Sequence, residues 1–241
     1  MLRVDRRSAP LERSIVPPRR CLAAQPSIGW TANLQTARAM KKLLNWLQAK
    51  RRHNALAEWE RQGRPVPPPH IVKQTVLRSY AERYHLKIFV ETGTYRGDMV
   101  AAMKPLFHKI YSIELSDKLF DEARRRFKGD ARIELIHGDS GQELGRIMGR
   151  IDQPALFWLD GHYSAGDTAR AEKDTPICEE LDQILRAPDP GHVIIIDDAR
   201  CLGSDPAYPT IQAVRDHVLW KRPHAGIIVE GDSIRITPPD S

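Results

Sequence analysis

The C-terminal two-thirds of the chain alternates between short apolar runs and segments with helical periodicity. Five apolar runs have the length and the β-branched or aromatic content of buried strands, and each is followed by a helical segment. The runs are KIFVE (87–91), KIYSIEL (109–115), RIELIHGD (132–139), ALFWLD (155–160) and HVIIIDD (192–198). Such strand–helix units predict a parallel sheet that is covered by helices on both faces.

The end of the chain departs from this alternation. GIIVEGDSIRIT (226–237) places two strand-forming runs on either side of a Gly-Asp-Ser turn, which predicts an antiparallel hairpin. The predicted fold class is therefore α/β. It is a Rossmann-like, doubly wound, mainly parallel seven-stranded sheet with a C-terminal antiparallel hairpin and an N-terminal helical extension.

The N-terminal part has a different composition. Residues 1–30 are rich in Arg and Pro and have no period, which predicts a disordered basic tail. Residues 31–69 are predicted to form a helix and a Pro-rich linker, and residues 70–241 the main domain. Much of the net charge of +6 lies before residue 65. A basic arm attracts nucleic acid, anionic lipid or an acidic partner, whereas a solvated flexible tail is the simpler interpretation.

Three further features limit the class of protein. The three cysteines are scattered without CxxC spacing, which argues against a disulfide framework or a zinc site. No apolar run approaches the roughly 20 residues of a membrane span, and the N-terminus lacks the apolar core of a signal peptide. We therefore expect a cytoplasmic protein without a membrane span, in which the N-terminal helix could pair two subunits.

An acidic residue ends each of the five predicted strands: Glu91, Glu114, Asp139, Asp160, and the pair Asp197 and Asp198. Ligands of doubly wound sheets bind outside the carboxyl ends of the strands. A single acid at such a place usually caps a turn or a helix, but five in succession favour a ligand site. The Gly-containing turn after the first strand is followed by a helix N-terminus, a combination shared with dehydrogenases.

The series ETGTYRG, SIELS, IHGDS, WLDGHY and IIIDDA resembles the motif series of class I S-adenosylmethionine (SAM)-dependent methyltransferases, over roughly residues 70–238. The resemblance implies that SAM is the cofactor. Tyr95 stands where that family usually has its middle glycine, which leaves the path of this loop open. The implied SAM-binding residues are Glu91, Thr92, Gly93, Thr94, Tyr95, Gly97, Glu114, Leu115, Asp139, Ser140 and Asp160.

A narrower resemblance concerns metal binding. Asp160, Asp197 and Asp198 are similar to the acidic set of catechol-type and macrocin-type O-methyltransferases, which implies Mg²⁺ or another divalent cation at these residues. Hard divalent cations prefer oxygen ligands, and three converging carboxylates without a cation would repel one another. The alternative is that these acids only cap turns.

The acceptor is left open by the sequence. The long segment after the fourth strand carries His162 and Lys173, which with Asp160 are the catalytic candidates; an imidazole titrates near neutrality and suits a general base. His162 could equally make a structural hydrogen bond, and Lys173 could be a solvated charge. We expect O-methylation of a hydroxylated small molecule, either a sugar or a secondary metabolite.

Two other functions are considered. A NAD-type oxidoreductase would share the Gly-containing turn and Glu114, but it does not account for the acids after the fourth and fifth strands. A nucleic-acid methyltransferase guided by the basic N-terminus would often show an Asn/Asp-Pro-Pro-Tyr turn, and residues 160–163 read Asp-Gly-His-Tyr instead. The sequence thus favours a small-molecule acceptor over nucleic acid.

Overall fold

The structure, a computed structural model, describes residues 29–160, 175–204 and 208–239. The chain divides into two compact units, Met1–Leu47 and Gln48–Ser241. In the first, the described residues form the start of helix α1 (Gly29–Arg61), which continues into the second. The fold described below is that of the second unit.

Among the described residues, six α-helices and seven strands follow α1, and they alternate until the two last strands, which are consecutive. The strands are β1 (Ile88–Thr92), β2 (Lys109–Glu114), β3 (Ile133–His137), β4 (Ala155–Leu159), β5 (Val193–Ile196), β6 (Gly226–Glu230) and β7 (Ser233–Thr237). The helices are α2 (His70–Arg83), α3 (Asp98–Met103), α4 (Asp117–Arg126), α5 (Ser140–Met148), α6 (Ile177–Arg186) and α7 (Ile211–Lys221).

The seven strands form one sheet in the order β3-β2-β1-β4-β5-β7-β6. The first five strands pair in parallel, and β7 runs antiparallel to both β5 and β6. The central strands β1, β4 and β5 are buried at every position, as the continuous apolar runs predict for strands covered on both faces. This confirms the predicted fold class.

Separate apolar cores cover the two faces of the sheet. On one face, Phe89 and Trp158 pack with residues of α2 and α3. On the other, Val90 and Phe157 pack with residues of α5, α6 and α7. These cores hold the strands so that the ends of β1, β2, β4 and β5 open toward the same edge of the sheet.

The C-terminal hairpin turns at Gly231 and Asp232, which have φ angles of +57° and +64°. Two successive residues with positive φ match the twist of a tight hairpin, and Gly and Asp tolerate that conformation better than most residues. The Gly-Asp-Ser turn is thereby confirmed.

In the part of the chain that the structure describes, no helix is long and apolar enough to cross a membrane.

Candidate active site

The direction in which successive strands are added to the sheet reverses at β1, which pairs with β2 on one side and with β4 on the other. The connections after β1 and β4 therefore leave in opposite directions and open a crevice between them, which is the usual ligand site in doubly wound folds. Within this crevice the backbone N–H of Asp160 donates to the carbonyl oxygen of Thr92, at 3.2 Å, and lies 3.3 Å from its hydroxyl.

Glu91 does not end β1, as the sequence pattern suggested, but lies inside it and is 1% exposed. The hydroxyl of Ser112 donates to its carboxyl at 2.6 Å and lies 2.7 Å from the hydroxyl of Thr94. Burial raises the pKa of Glu91 well above its usual value, and the hydrogen bond from Ser112 opposes that shift only in part. Glu91 thus helps to hold the start of the loop after β1, through the contact of Ser112 with Thr94.

The loop after β1 is held by hydrogen bonds to β2. The N–H groups of Gly93 and Thr94 both donate to the carbonyl oxygen of Ile113, at 3.0 and 3.1 Å. Tyr95 has a φ of +49°, so the position where the family usually has glycine adopts the left-handed conformation with a tyrosine. The tyrosine side chain is 46% exposed. The departure from the family pattern therefore leaves the loop able to make its turn.

Gly97 completes this loop and precedes α3 with a φ of +75°. A Cβ atom built on Gly97 would lie 2.6 Å from a ring carbon of Phe127. Both the backbone conformation and the close ring make glycine the fitting residue here.

Glu114 ends β2 and is 6% exposed. One carboxylate oxygen accepts from the N–H of Tyr95 at 2.8 Å and the other from the N–H of Ser116 at 2.9 Å. Burial raises the pKa of Glu114, and the backbone hydrogen bonds oppose that shift. A carboxylate has about four acceptor positions, and the backbone N–H groups occupy only part of them, so Glu114 can still accept from a ligand hydroxyl. These acceptor positions fit the donating hydroxyls of a nucleoside ribose.

Asp139 lies two residues beyond β3, as the N-cap of α5, and its side chain accepts from the N–H of Gly141 at 2.9 Å. The capping role that such an acid commonly has is therefore realised. Ser140 is the buried first residue of α5. Between the ends of β2 and β3, the carbonyl oxygen of Leu115 lies 3.2 Å from Nε2 of His137.

A second group of predicted residues comes together after β4 and β5. Asp160, Asp197 and Asp198 each offer a carboxylate oxygen, and these oxygens lie within 4.8 Å of one another; we call them the acid trio. Oδ1 of Asp197 is buried and has no hydrogen-bond partner among the described residues. Three oxygen ligands and an unsatisfied buried oxygen fit a hard divalent cation.

Two basic residues that the sequence analysis did not single out contact the acid trio. The ammonium of Lys73, on α2, donates to Oδ2 of Asp197 and to Oδ1 of Asp198, the latter at 3.2 Å. Arg200 donates to Oδ1 of Asp198 at 2.7 Å and also contacts Asp232. The repulsion that argued for a metal is thus already reduced by side-chain cations. Asp198 contacts both of them and has a φ of +52°.

These contacts determine the protonation of Lys73 and shift the pKa of Asp197. Burial would lower the pKa of Lys73, but Asp197 and Asp198 outweigh it and raise that pKa above its usual value. Burial raises the pKa of Asp197, assisted by Asp198 and opposed by Lys73. Lys73 is therefore a cation at neutral pH, embedded between carboxylates.

A cavity of about 190 Å³ adjoins the acid trio. Lys73 and Asp197 line it together with apolar side chains from the end of α1, from α2 and from β4, among them Trp59, Val76 and Trp158. The cavity thus combines an apolar wall with charged side chains, because Arg64, Glu230 and Arg235 line it as well as the Lys73–Asp197 ion pair. It is suited to a small molecule with an apolar face and a polar group.

The structure therefore brings the predicted residues together in two adjoining groups. One group is the loop after β1 with Glu114, and the other is the acid trio. Thr92 joins the two groups through its contact with Asp160. His162 and Lys173 lie outside the described residues.

Comparison with known proteins bears on the fold. No protein-family profile matches the chain, and no curated protein matches it. Among solved structures, an O-methyltransferase from Bacillus cereus in complex with S-adenosylhomocysteine (SAH) is similar, with a TM-score of 0.52 and 16% identity over 78% of this chain and 90% of that one. The O-methyltransferase TomG from Streptomyces achromogenes, in complex with SAM, has a TM-score of 0.52 and 18% identity over 80% and 90%.

At 16–18% sequence identity, the structural similarity is evidence for a shared fold. The chain therefore has the fold of the class I SAM-dependent O-methyltransferases.

Proposed function

We propose that the protein is a SAM-dependent methyltransferase that methylates an oxygen of a hydroxylated small molecule with the help of a divalent cation. The observation that carries the proposal is the position of Glu114. Its carboxylate ends β2, accepts a hydrogen bond from the loop after β1, and keeps acceptor capacity for a ligand hydroxyl. This is the arrangement that a ribose at the switch of a doubly wound sheet needs.

The cofactor's role and the protein's role are distinct. When bound, SAM supplies a methyl group on a positively charged sulfur, which an acceptor oxygen attacks. Glu114 would hold the ribose, and Leu115, Asp139 and Ser140 would border the base. The loop from Glu91 to Gly97 would hold the methionine end. Holding donor and acceptor in one geometry supplies much of the rate enhancement of such a transfer.

The acid trio adjoins this cofactor site through Asp160 and Thr92. Its residues would hold Mg²⁺ or a similar cation, which when bound lowers the pKa of an acceptor hydroxyl. Asp160, His162 and Lys173 remain the candidates for the residue that takes the acceptor proton.

The acceptor class follows from the cavity. Its volume of about 190 Å³ is comparable with the roughly 150 Å³ of an engineered apolar cavity that binds benzene. One sugar or aromatic ring therefore fits, with a hydroxyl directed to Lys73 and Asp197. TomG, which has the same fold, is an O-methyltransferase involved in tomaymycin synthesis, which is compatible with a small-molecule acceptor.

The oxidoreductase alternative has less support. In the dinucleotide-binding arrangement the sixth strand continues the parallel sheet, whereas here antiparallel β7 takes that place.

The experiment is transfer of a labelled methyl group from SAM to a panel of phenols and sugars, with Mg²⁺ and with EDTA. The proposal predicts labelled product with at least one acceptor and loss of most transfer on chelation. Full transfer in EDTA would contradict the role of the cation, but the proposed methyltransferase activity would stand.

A further inference from the structure

Lys73 reaches the acid trio from another part of the fold. It lies on α2, 124 residues before Asp197, and its ammonium donates to Asp197 and Asp198. The exposed fractions of the three side chains are 15%, 1% and 11% for Lys73, Asp197 and Asp198. An ion pair buried to this degree is held in place, because a charge left unpaired in such surroundings is costly.

The ammonium binds the same two carboxylates that the proposed cation would need. A cation such as Mg²⁺ binds oxygen at about 2.0–2.1 Å, and the ammonium lies 3.2 Å from Oδ1 of Asp198. A metal on these oxygens would therefore lie within a few ångströms of a like charge. At that separation the repulsion is strong in a poorly solvated site.

Arg200 does not replace Lys73 in this respect. It contacts Asp198 and Asp232, and the structure records no contact between Arg200 and Asp197. Lys73 is the described cation that joins Asp197 to Asp198, and the contact leaves Oδ1 of Asp197 without a hydrogen-bond partner.

We propose that Lys73 is the resident counter-ion of the acid trio, and that a divalent cation binds there by displacing its ammonium. The inference rests on the metal site of the proposed function. Lys73 also lines the cavity, which gives its side chain space into which the ammonium can move. Lys73 therefore weakens cation binding and keeps the acid trio neutralised while no cation is bound.

The first experiment measures Mn²⁺ binding to the full chain by calorimetry, with Mn²⁺ as the only added ligand. Lys73→Met removes the charge and keeps much of the length, and Lys73→Arg keeps the charge. Lys109→Met is the matched control, because Lys109 forms a separate ion pair with Glu134 at 2.8 Å. We expect Lys73→Met to bind Mn²⁺ about tenfold or more tightly than the unsubstituted chain, whereas the other two variants do not gain affinity.

Unchanged or weaker Mn²⁺ binding by Lys73→Met would overturn the inference. A second measurement needs no variant. Acylation of lysine amines, followed by peptide mass spectrometry, should show Lys73 becoming more reactive when Mn²⁺ is added, and Lys109 unchanged. No increase at Lys73 would also overturn the inference.

SAH binding separates this inference from the proposed function. If Lys73→Met binds SAH like the unsubstituted chain but gains no affinity for Mn²⁺, the displacement is wrong and the cofactor proposal stands. If no form of the chain binds SAH, the cofactor proposal fails, whatever the Mn²⁺ result.

Discussion

The carboxylate of Glu114, at the end of β2, accepts a hydrogen bond of 2.8 Å from the backbone N–H of Tyr95, in the loop after β1. The bond joins a ribose-binding candidate to the loop that would hold the methionine end of SAM. Tyr95 is the non-glycine residue in that loop with a positive φ. The carboxylate therefore supports the left-handed turn in addition to offering its free acceptor positions.

Glu114→Ala should weaken SAH binding by about tenfold or more, because it removes hydrogen bonds to a charged acceptor, each worth roughly 1.5–3 kcal/mol. Calorimetry with SAH measures the change. The exposed residue Glu122 on α4 provides the control, and Glu122→Gln should bind SAH normally. Equal affinity of both variants would exclude Glu114 from the cofactor site.

Gly97→Ala and Gly129→Ala form a matched pair. Both glycines have positive φ, +75° and +87°, but an added Cβ meets Phe127 at 2.6 Å at Gly97 and nothing within 4 Å at Gly129. Gly129→Ala should cost about 1–2 kcal/mol of unfolding free energy through its backbone alone. Gly97→Ala should cost about 1–3 kcal/mol more, through overpacking.

Urea unfolding followed by circular dichroism gives both values. Equal destabilisation would show that Phe127 moves aside freely and that backbone conformation alone requires glycine at position 97.

Asp160→Asn should reduce the affinity for Mn²⁺ by about tenfold or more, because cation affinity follows the charge and number of oxygen ligands. Asp152→Asn, at an exposed position before β4, is the control. The measurement is Mn²⁺ calorimetry on the full chain. An unaltered affinity in Asp160→Asn would mean that the acid trio is not the cation site.

Stability should fall in mild acid because of His192. This side chain is 1% exposed, its Nδ1 accepts from the N–H of Ala155 at 3.1 Å, and burial lowers its pKa to about 4. Between pH 6.5 and 4 the unfolded chain binds a proton that the folded chain does not. The group therefore favours unfolding as the pH falls, by at most about 1.4 kcal/mol per pH unit.

Urea unfolding of the unsubstituted chain and of His192→Gln across this range checks the effect. His192→Gln should show a smaller loss of stability in acid. His224→Gln, at an exposed position, should behave like the unsubstituted chain. The same acid dependence in all three would assign it to other groups.

The fold was largely predictable because buried strands are recognisable from short continuous runs of apolar residues. Continuous apolar runs such as VIII predicted β5, and the Gly-Asp turn predicted the hairpin. Strand ends were less predictable, because an acid can lie inside a strand when a hydroxyl neighbour satisfies it. Glu91 does so through Ser112, which belongs to another strand.

The site was predictable only in part. The acid trio follows from the rule that parallel strands end at one edge of the sheet. Lys73 does not follow from it, because its position depends on how α2 packs over the sheet, and no periodicity in residues 70–83 distinguishes Lys73 from a solvated lysine. Asp139 shows the converse, since its helix-capping contact is local and typical of its residue type.

The central claim is that the crevice after β1 and β4 binds an adenosyl cofactor. Calorimetric titration of the full chain with SAH, with NADH as the comparison ligand, tests this claim most directly. We predict saturable one-to-one binding of SAH and no heat of binding with NADH. Heat with NADH and none with SAH would contradict the account.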